Sequence, residues 1–210
     1  MRPAELDADL VWCEHRSPPR PAPALFLDRD GVVVEEVGHL HEVAKTRLIP
    51  GAAAVVAEAN RRGLHVVLVT NQSGIGRGLY DWDAFRAVQE KILAELAAAS
   101  IDAVLACPHH AEVAPPYRHP DHPDRKPNPG MLLKAAAMLE IELAASWIVG
   151  DRAGDIEAGR RAGLAGGLHV ATGHGAEERA AARALATSDF RVIEGDSVVD
   201  ALTLLPLLAA

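Results

Sequence analysis

An α/β fold with a mainly parallel sheet flanked by helices is predicted by the order of the hydrophobic segments in this 210-residue chain. Short apolar runs of strand length alternate with amphipathic stretches of helical length, which is the pattern of βαβ units. Acidic side chains follow two of these runs directly, where the carboxyl ends of parallel strands form a ligand-binding crevice. The length fits one domain with a full core and a small appendage.

That appendage is predicted at the N-terminus. Residues 1–23 are expected to form an extended arm, since proline recurs towards their end and is incompatible with a helix or a central strand. They lack the basic start and apolar centre of a signal peptide. Residues 24–210 are expected to form a single domain.

The elements of this domain follow from the spacing of apolar residues. Strands are predicted at 24–28, 64–69, 102–106, 146–149, 167–171 and 189–193. An irregular stretch over 31–49 follows the first strand. Pro50 and Gly51 open the first helix, which ends at Gly63, and Asp81 is the predicted N-cap of the second. Helices are predicted at 52–62, 82–96, 131–140, 154–162, 176–186 and 197–208. The loop at 107–130 is long for a compact domain, so we expect it to be functional.

Composition and charge exclude several classes of partner. The formal net charge is −8, without a cluster of basic residues, so nucleic acid and anionic membranes are not expected as partners. The two cysteines, Cys13 and Cys107, do not form a disulfide framework, which indicates a reducing cytoplasm. The longest apolar tract near the C-terminus, about ten residues, is too short to span a bilayer.

Asp28 and Asp30 are the most informative residues. They follow the first buried run within the string Asp28-Arg29-Asp30-Gly31-Val32. One carboxylate at such a position can be a nucleophile and the other a general acid and base, with a hard cation between them to reduce their repulsion. Alone, this pair is more often two solvated loop acids.

Two later strand ends carry matching chemistry. Thr70 to Gly74 (TNQSG) offers a hydroxyl, an amide and backbone N–H groups to an oxyanion, although a turn with ordinary capping is the alternative. Asp151 stands at its strand end as Asp28 does, and fits a cation ligand. Asp155, four residues on, is either a dipole partner or an ordinary N-terminal acid of the helix.

Lys126 lies in a proline-stiffened string, Arg125-Lys126-Pro127-Asn128-Pro129-Gly130, ahead of a predicted helix. A lysine held there can bind an anion as a point charge, whereas a lone lysine is more often a solvated surface residue. No GxxxxGK[ST] string occurs, so a nucleotide-dependent kinase is not indicated.

The ordered set DxDGV, TNQSG, RKPxPG and GDxxxD resembles the haloacid dehalogenase (HAD) superfamily of phosphohydrolases, over about residues 24–173. The strings FLDRDG, TNQSGIGRG, CPHH and RKPNPGML are most similar to its heptose 1,7-bisphosphate 7-phosphatases. The resemblance implies a Rossmann-like sheet without a large cap domain. Histidinol-phosphate phosphatases share the DRDG start, the CPH loop and GDRA, and are the alternative. A non-catalytic binding protein of this fold is a remote one, since Asp28, Asp30, Lys126 and Asp151 are all present.

This resemblance also implies a mechanism. Asp28 attacks phosphorus and becomes an aspartyl phosphate, and Asp30 protonates the leaving oxygen and later activates water. Mg²⁺ is held by Asp28, the backbone carbonyl of Asp30 and Asp151. Thr70, Asn71 and Lys126 contact the phosphoryl oxygens.

Recognition of the substrate, a small phosphorylated sugar, is expected from a wider set of residues, and the enzyme is expected to be a cytoplasmic monomer. Besides Thr70, Asn71 and Lys126, the substrate contacts are Glu36, Val37, Gly38, His39, Gln72, Ser73, Arg125 and Arg152. His39 stands where tyrosine is common in the subfamily, and Arg152 where lysine is common.

A zinc site is a further implication of the resemblance. Many relatives carry a C-x-H pair and a C-x-C pair ahead of the RKP string. The corresponding residues here are Cys107, His109, His122 and Asp124, and the loss of two thiolates weakens such a site. His110 and His119 are additional candidates, and our expectation is a loop without zinc.

Overall fold

The computed structural model describes residues 5–209, which contain one eight-stranded sheet. The strands in chain order are β1 (Glu5–Leu6), β2 (Trp12–His15), β3 (Ala24–Leu27), β4 (His65–Asn71), β5 (Ala103–Cys107), β6 (Trp147–Gly150), β7 (Gly166–Val170) and β8 (Arg191–Gly195). Their order in the sheet is β1-β2-β5-β4-β3-β6-β7-β8. All neighbours from β5 to β8 pair in parallel, and β1 and β2 are antiparallel additions at one edge. The predicted α/β fold class is confirmed.

Helices cover both faces of the sheet. They are α1 (Ala52–Arg61), α2 (Ser73–Gly76), α3 (Trp82–Glu95), α4 (Gly130–Leu139), α5 (Ala153–Ala162), α6 (Gly175–Arg183) and α7 (Ala201–Leu204). One core cluster contains buried residues of α1, α3 and α7, and the other contains those of α4, α5 and α6. Burial on both faces explains why the central strands are continuous apolar runs rather than alternating ones.

Part of the segment predicted as an N-terminal arm belongs to the sheet, as strands β1 and β2. β2 pairs with β5 in the register of Trp12 with Ala106, and the indole of Trp12 stacks on that of Trp82 with ring centroids 5.4 Å apart. The sequence of β2, Trp-Cys-Glu-His, has no apolar run, so periodicity does not reveal this strand.

The C-terminal helix is shorter than predicted. In place of a helix over 197–208, a 3₁₀ turn at Val198–Asp200 leads into α7, which ends at Leu204. Pro206 explains this end, because the residue before a proline is disfavoured in helical conformation, and Leu205 is extended (φ −82°, ψ 128°). The predicted N-cap at Asp81 is confirmed by the hydrogen bond that its side chain accepts from the Ala84 N–H.

None of the helices within residues 5–209 combines the length and the apolar character that crossing a membrane requires.

Candidate active site

The sheet order places three of the predicted site strands side by side. β3 lies between β4 and β6, so the residues that follow their carboxyl ends share one crevice. Asp28 directly follows β3, Thr70 and Asn71 end β4, and Asp151 directly follows β6. The N–H of Asp28 donates to the carbonyl oxygen of Val149, which fixes the Asp28 backbone against β6.

Lys126 reaches this crevice from the long loop between β5 and α4. Its Nζ lies 2.8 Å from Oδ1 of Asp28, 2.6 Å from Oδ1 of Asp155 and 2.7 Å from the carbonyl oxygen of Val69. The side chain is buried. Burial alone would lower the pKa of the Lys126 ammonium, but the two carboxylates outweigh it and raise that pKa.

Three carboxylates converge beside this lysine. Oxygen atoms of Asp28, Asp151 and Asp155 lie within 4.8 Å of one another, and all three residues are buried. Burial is the largest cause that raises the pKa of Asp28 and of Asp151, and the neighbouring carboxylates add to it.

The donor set fits a divalent cation. Three carboxylates and one ammonium leave two negative charges without compensation. Oδ1 of Asp151 is buried and has no hydrogen-bond partner within the described part of the chain. A buried carboxylate oxygen without a donor is costly, and hard oxygen ligands are those that Mg²⁺ prefers.

Two glycines allow the chain to close around Asp151. Gly31 has φ +85°, which favours glycine, and a Cβ there would lie 2.5 Å from Oδ2 of Asp151. A Cβ at Gly173 would also collide with Oδ2. The same oxygen accepts a hydrogen bond from the His174 N–H at 2.8 Å, so only glycines leave room for this arrangement.

Asp30 lies at the wall of the crevice and is held by two neighbours. Nε and Nη2 of Arg29 contact both of its carboxylate oxygens at 2.9–3.2 Å, and Nε2 of Gln72 donates to Oδ2 at 2.9 Å. Nε2 of Gln72 also donates to Oγ1 of Thr70 at 2.8 Å. The structure therefore links two predicted site residues, Thr70 and Asp30, through a third.

A cleft of about 290 Å³ opens above Asp30. It is lined by Asp30, Glu36, Gly38, His39, Gln72, Tyr80, Arg152 and His174. Six of these eight residues were predicted from the sequence. Tyr80 and His174 were not, because each lies in a segment between elements, outside the motifs found in the sequence.

Other predicted contacts lie around the cleft without lining it. Val37 is exposed, and Ser73 begins α2. Nη1 of Arg125 donates to the carbonyl oxygen of His109, and burial together with Arg77 and Arg152 lowers the pKa of the Arg125 guanidinium.

The four zinc candidates are only partly arranged for a metal. Sγ of Cys107 lies 4.0 Å from Nδ1 of His122, and the rings of His109 and His122 stack with centroids 3.8 Å apart. Both ring nitrogens of His109 face carbonyl oxygens, those of Tyr117 and Asp9.

Asp124, the fourth candidate, is committed as well, because its Oδ2 is paired with the ammonium of Lys134. Among residues 5–209, these four do not occur as a group of ligands within metal-binding distance.

Comparison with known proteins agrees with this geometry. A family profile described as haloacid dehalogenase-like hydrolase matches residues 12–163. A protein of Mesorhizobium japonicum named D-glycero-beta-D-manno-heptose-1,7-bisphosphate 7-phosphatase is 47% identical in an alignment of 165 residues, and the match covers 76% of each chain.

Solved structures show the same relationship. A HAD-like phosphatase of Mesorhizobium loti has a TM-score of 0.77 at 39% identity, covering 89% of this chain and 100% of that one. A D,D-heptose 1,7-bisphosphate phosphatase of B. bronchiseptica, crystallised with magnesium and phosphate, has a TM-score of 0.72 at 30% identity, covering 84% and 94%.

Proposed function

The chain belongs to the haloacid dehalogenase-like hydrolase family, and we propose that it is a Mg²⁺-dependent phosphatase that removes the 7-phosphate of D-glycero-D-manno-heptose 1,7-bisphosphate. One observation carries the chemistry: a buried carboxylate, Asp28, faces Lys126 and two further acids where the sheet crevice opens to a small cleft. The names of the relatives support the choice of sugar.

Asp28 is the proposed nucleophile. Lys126 donates to Oδ1, which leaves Oδ2 to attack phosphorus and form an aspartyl phosphate. A carboxylate is a weak nucleophile towards a phosphate dianion, so most of the catalysis must come from positive charge around the phosphoryl oxygens. Lys126, fixed by three oxygen acceptors, supplies part of it.

A magnesium ion is the proposed second source of positive charge. Asp28, Asp151 and the backbone carbonyl of Asp30 would hold it, and Asp155 supports the site by holding Lys126. When bound, the ion would neutralise charge on the transferring phosphoryl group.

Asp30 is the proposed general acid and base. It lines the cleft in which the sugar would lie. It would protonate that oxygen in the first step and take a proton from water in the second.

The cleft supports a polyhydroxylated, doubly phosphorylated substrate. Glu36 and His39 offer polar contacts to hydroxyl groups, and Arg152 offers a bidentate donor to a second phosphate. Arg125, oriented by its bond to the His109 carbonyl oxygen, is proposed to add to this cationic side of the cleft.

A substrate panel tests the proposal. Phosphate release with Mg²⁺ is compared for heptose 1,7-bisphosphate, fructose 1,6-bisphosphate and histidinol phosphate, with Asp28→Asn as the inactive control. Strong preference for the heptose, lost in Asp28→Asn, is expected. Preference for histidinol phosphate would support the chemistry but overturn the proposed substrate. An Asp28→Asn variant that keeps more than a few per cent of the activity would overturn the assignment of the nucleophile.

A further inference from the structure

Arg29 occupies an unusual position for a charged residue. It lies in the chain between the two proposed catalytic aspartates and is the largest of the fully buried side chains among residues 5–209. Its guanidinium stacks over the ring of Phe85, 5.2 Å from the centroid. Burying a guanidinium in this way costs free energy unless its partners compensate for the lost water.

The partners of Arg29 do not satisfy it fully. Nη2 lies 3.2 Å from Oε1 of Gln72 and 3.4 Å from the carbonyl oxygen of Leu40, both neutral acceptors. Nη1 is buried without a partner among residues 5–209. Within the described part of the chain, the carboxylate of Asp30 is thus the one charged group that Arg29 contacts, and packing alone does not account for an arginine here.

The contacts of Asp30 hold its carboxylate in one orientation. Nε and Nη2 of Arg29 and Nε2 of Gln72 all direct N–H groups at its two oxygens. Rotation of the carboxylate about its Cβ–Cγ bond would break several of these bonds at once, so the arginine and the glutamine together fix where its oxygens lie.

We propose that Arg29 is a positioning residue that fixes the carboxylate of Asp30 in the orientation required to take a proton from water in the second half-reaction. This inference rests on the proposed function, in which Asp28 is transiently phosphorylated. In that half-reaction the oxygen of water forms a bond to phosphorus, and Asp30 takes the proton of the water. The bond between phosphorus and Asp28 breaks, and its electron pair returns to the carboxylate.

A substrate with a good leaving group isolates this step. p-Nitrophenyl phosphate needs little proton donation, so formation of the aspartyl phosphate is independent of Asp30 as an acid, whereas hydrolysis of the intermediate still needs Asp30 as a base. In Arg29→Met we expect hydrolysis about 10-fold slower, part of the 10²–10⁴ that a positioned base contributes, with formation near the wild-type rate. Stopped-flow kinetics would show a burst of p-nitrophenolate followed by a slow steady state, and acid quenching with intact mass measurement would show phosphorylated protein.

Three further variants make the result decisive. Arg29→Lys keeps the charge but loses the fork, so it should show a smaller burst of the same kind. Arg86→Met is the matched control, since Arg86 is half-exposed, pairs with Asp83 and is not among the contacts of Asp30. The double variant Arg29→Met/Asp30→Asn should hydrolyse the intermediate no more slowly than Asp30→Asn alone, because Arg29 acts through Asp30.

The outcomes separate the two proposals. If the wild type and Asp30→Asn never form a phosphorylated protein, the proposed function fails. If Asp30→Asn shows the burst but neither Arg29 variant does, the role of Arg29 is overturned. Should Arg29→Met fail to fold, Arg29→Lys decides: an unchanged ratio of hydrolysis to formation rates overturns the role, and a lowered ratio supports it.

Discussion

The side-chain amide of Asn71 and the backbone of Lys126 are joined by two hydrogen bonds. Nδ2 of Asn71 donates to the Lys126 carbonyl oxygen at 3.0 Å, and the Lys126 N–H donates to Oδ1 of Asn71 at 3.1 Å. Asn71 ends β4, which pairs with β3, the strand that leads to Asp28. The loop that carries the lysine is therefore anchored to the strand beside the proposed nucleophile.

Loss of this anchor should release Lys126. Asn71→Asp keeps the shape but replaces the N–H donor with an oxygen that faces a carbonyl oxygen, so Lys126 should lose its fixed position. We expect a loss of about 1–3 kcal/mol in the free energy of unfolding. We also expect kcat to fall by a larger factor than the factor by which KM changes. Denaturant unfolding and steady-state kinetics measure the two effects.

The chain provides a matched control for this change. Asn60 forms the same reciprocal pair with the backbone of Ser100, at 3.0 and 2.8 Å, but on an exposed surface. Asn60→Asp should therefore leave kcat unchanged. Equal losses of activity in the two variants would show that the pair at Asn71 has no special relation to Lys126.

Magnesium should stabilise the folded protein. Because the acidic cluster carries uncompensated charge, Mg²⁺ should bind the native state and raise Tm as its concentration rises. Asp151→Asn should abolish most of this rise, whereas Asp189→Asn, an exposed acid, should preserve it. Thermal unfolding with and without Mg²⁺ tests both, and an undiminished rise in Asp151→Asn would place the cation elsewhere.

The metal-free protein should lose stability as pH rises. Burial, aided by neighbouring carboxylates, raises the pKa of Asp28 and of Asp151 above their ordinary value of 3.8. The native state therefore binds these protons more tightly than the unfolded chain, so raising the pH above about 4 removes stability until both groups have ionised. We expect Tm in EDTA to fall across this window.

Magnesium and one variant provide the controls for this pH dependence. Saturating Mg²⁺ should flatten the fall in Tm, because the cation favours the ionised carboxylates. Asp151→Asn in EDTA should also show a shallower fall than the wild type. A metal-free Tm that rises with pH through this range would contradict the arrangement of acids described above.

The parallel part of the sheet is predictable because its strands are buried on both faces. Runs such as Ala24–Leu27 and Ala103–Cys107 are apolar at every position, which marks a strand without knowledge of its neighbours. β2 is different, since its place depends on pairing with the edge of β5. Pairing between distant segments leaves no periodic signal in a four-residue strand.

The residues of the candidate site also differ in whether a local sequence signal identifies them. Asp28, Asp151 and Lys126 were predicted because each lies in a local motif at the end of a strand or ahead of a helix. Arg29 and Tyr80 were not predicted as site residues. The structure joins both to Gln72, whose Oε1 accepts hydrogen bonds from Nη2 of Arg29 and from the Tyr80 hydroxyl. These contacts join residues from separate connections, so spacing along the chain does not reveal them.

Zinc should be absent from the loop between β5 and α4. Both ring nitrogens of His109 face carbonyl oxygens, and Asp124 is paired with Lys134, so two of the four candidate ligands are already committed. Elemental analysis after extensive dialysis should find far less than stoichiometric zinc. Zinc that is retained in stoichiometric amount by the wild type and lost in His109→Ala would overturn this expectation.

The N-terminal arm should contribute to the stability of the whole domain. Trp12 is buried, stacks on Trp82 and contacts the edge of Phe85, whose ring also lies beneath Arg29. Trp12→Ala should therefore lower the free energy of unfolding by about 3–5 kcal/mol, while Leu6→Ala, at an exposed side chain of the same arm, should change it by less than about 0.5 kcal/mol. Denaturant unfolding followed by circular dichroism measures both. Equal small effects would mean that the arm is an appendage that the domain does not need. The expected difference would instead move the functional boundary of the domain from residue 24 to the start of β2. The reason is that Phe85 connects that strand to the arginine that holds Asp30.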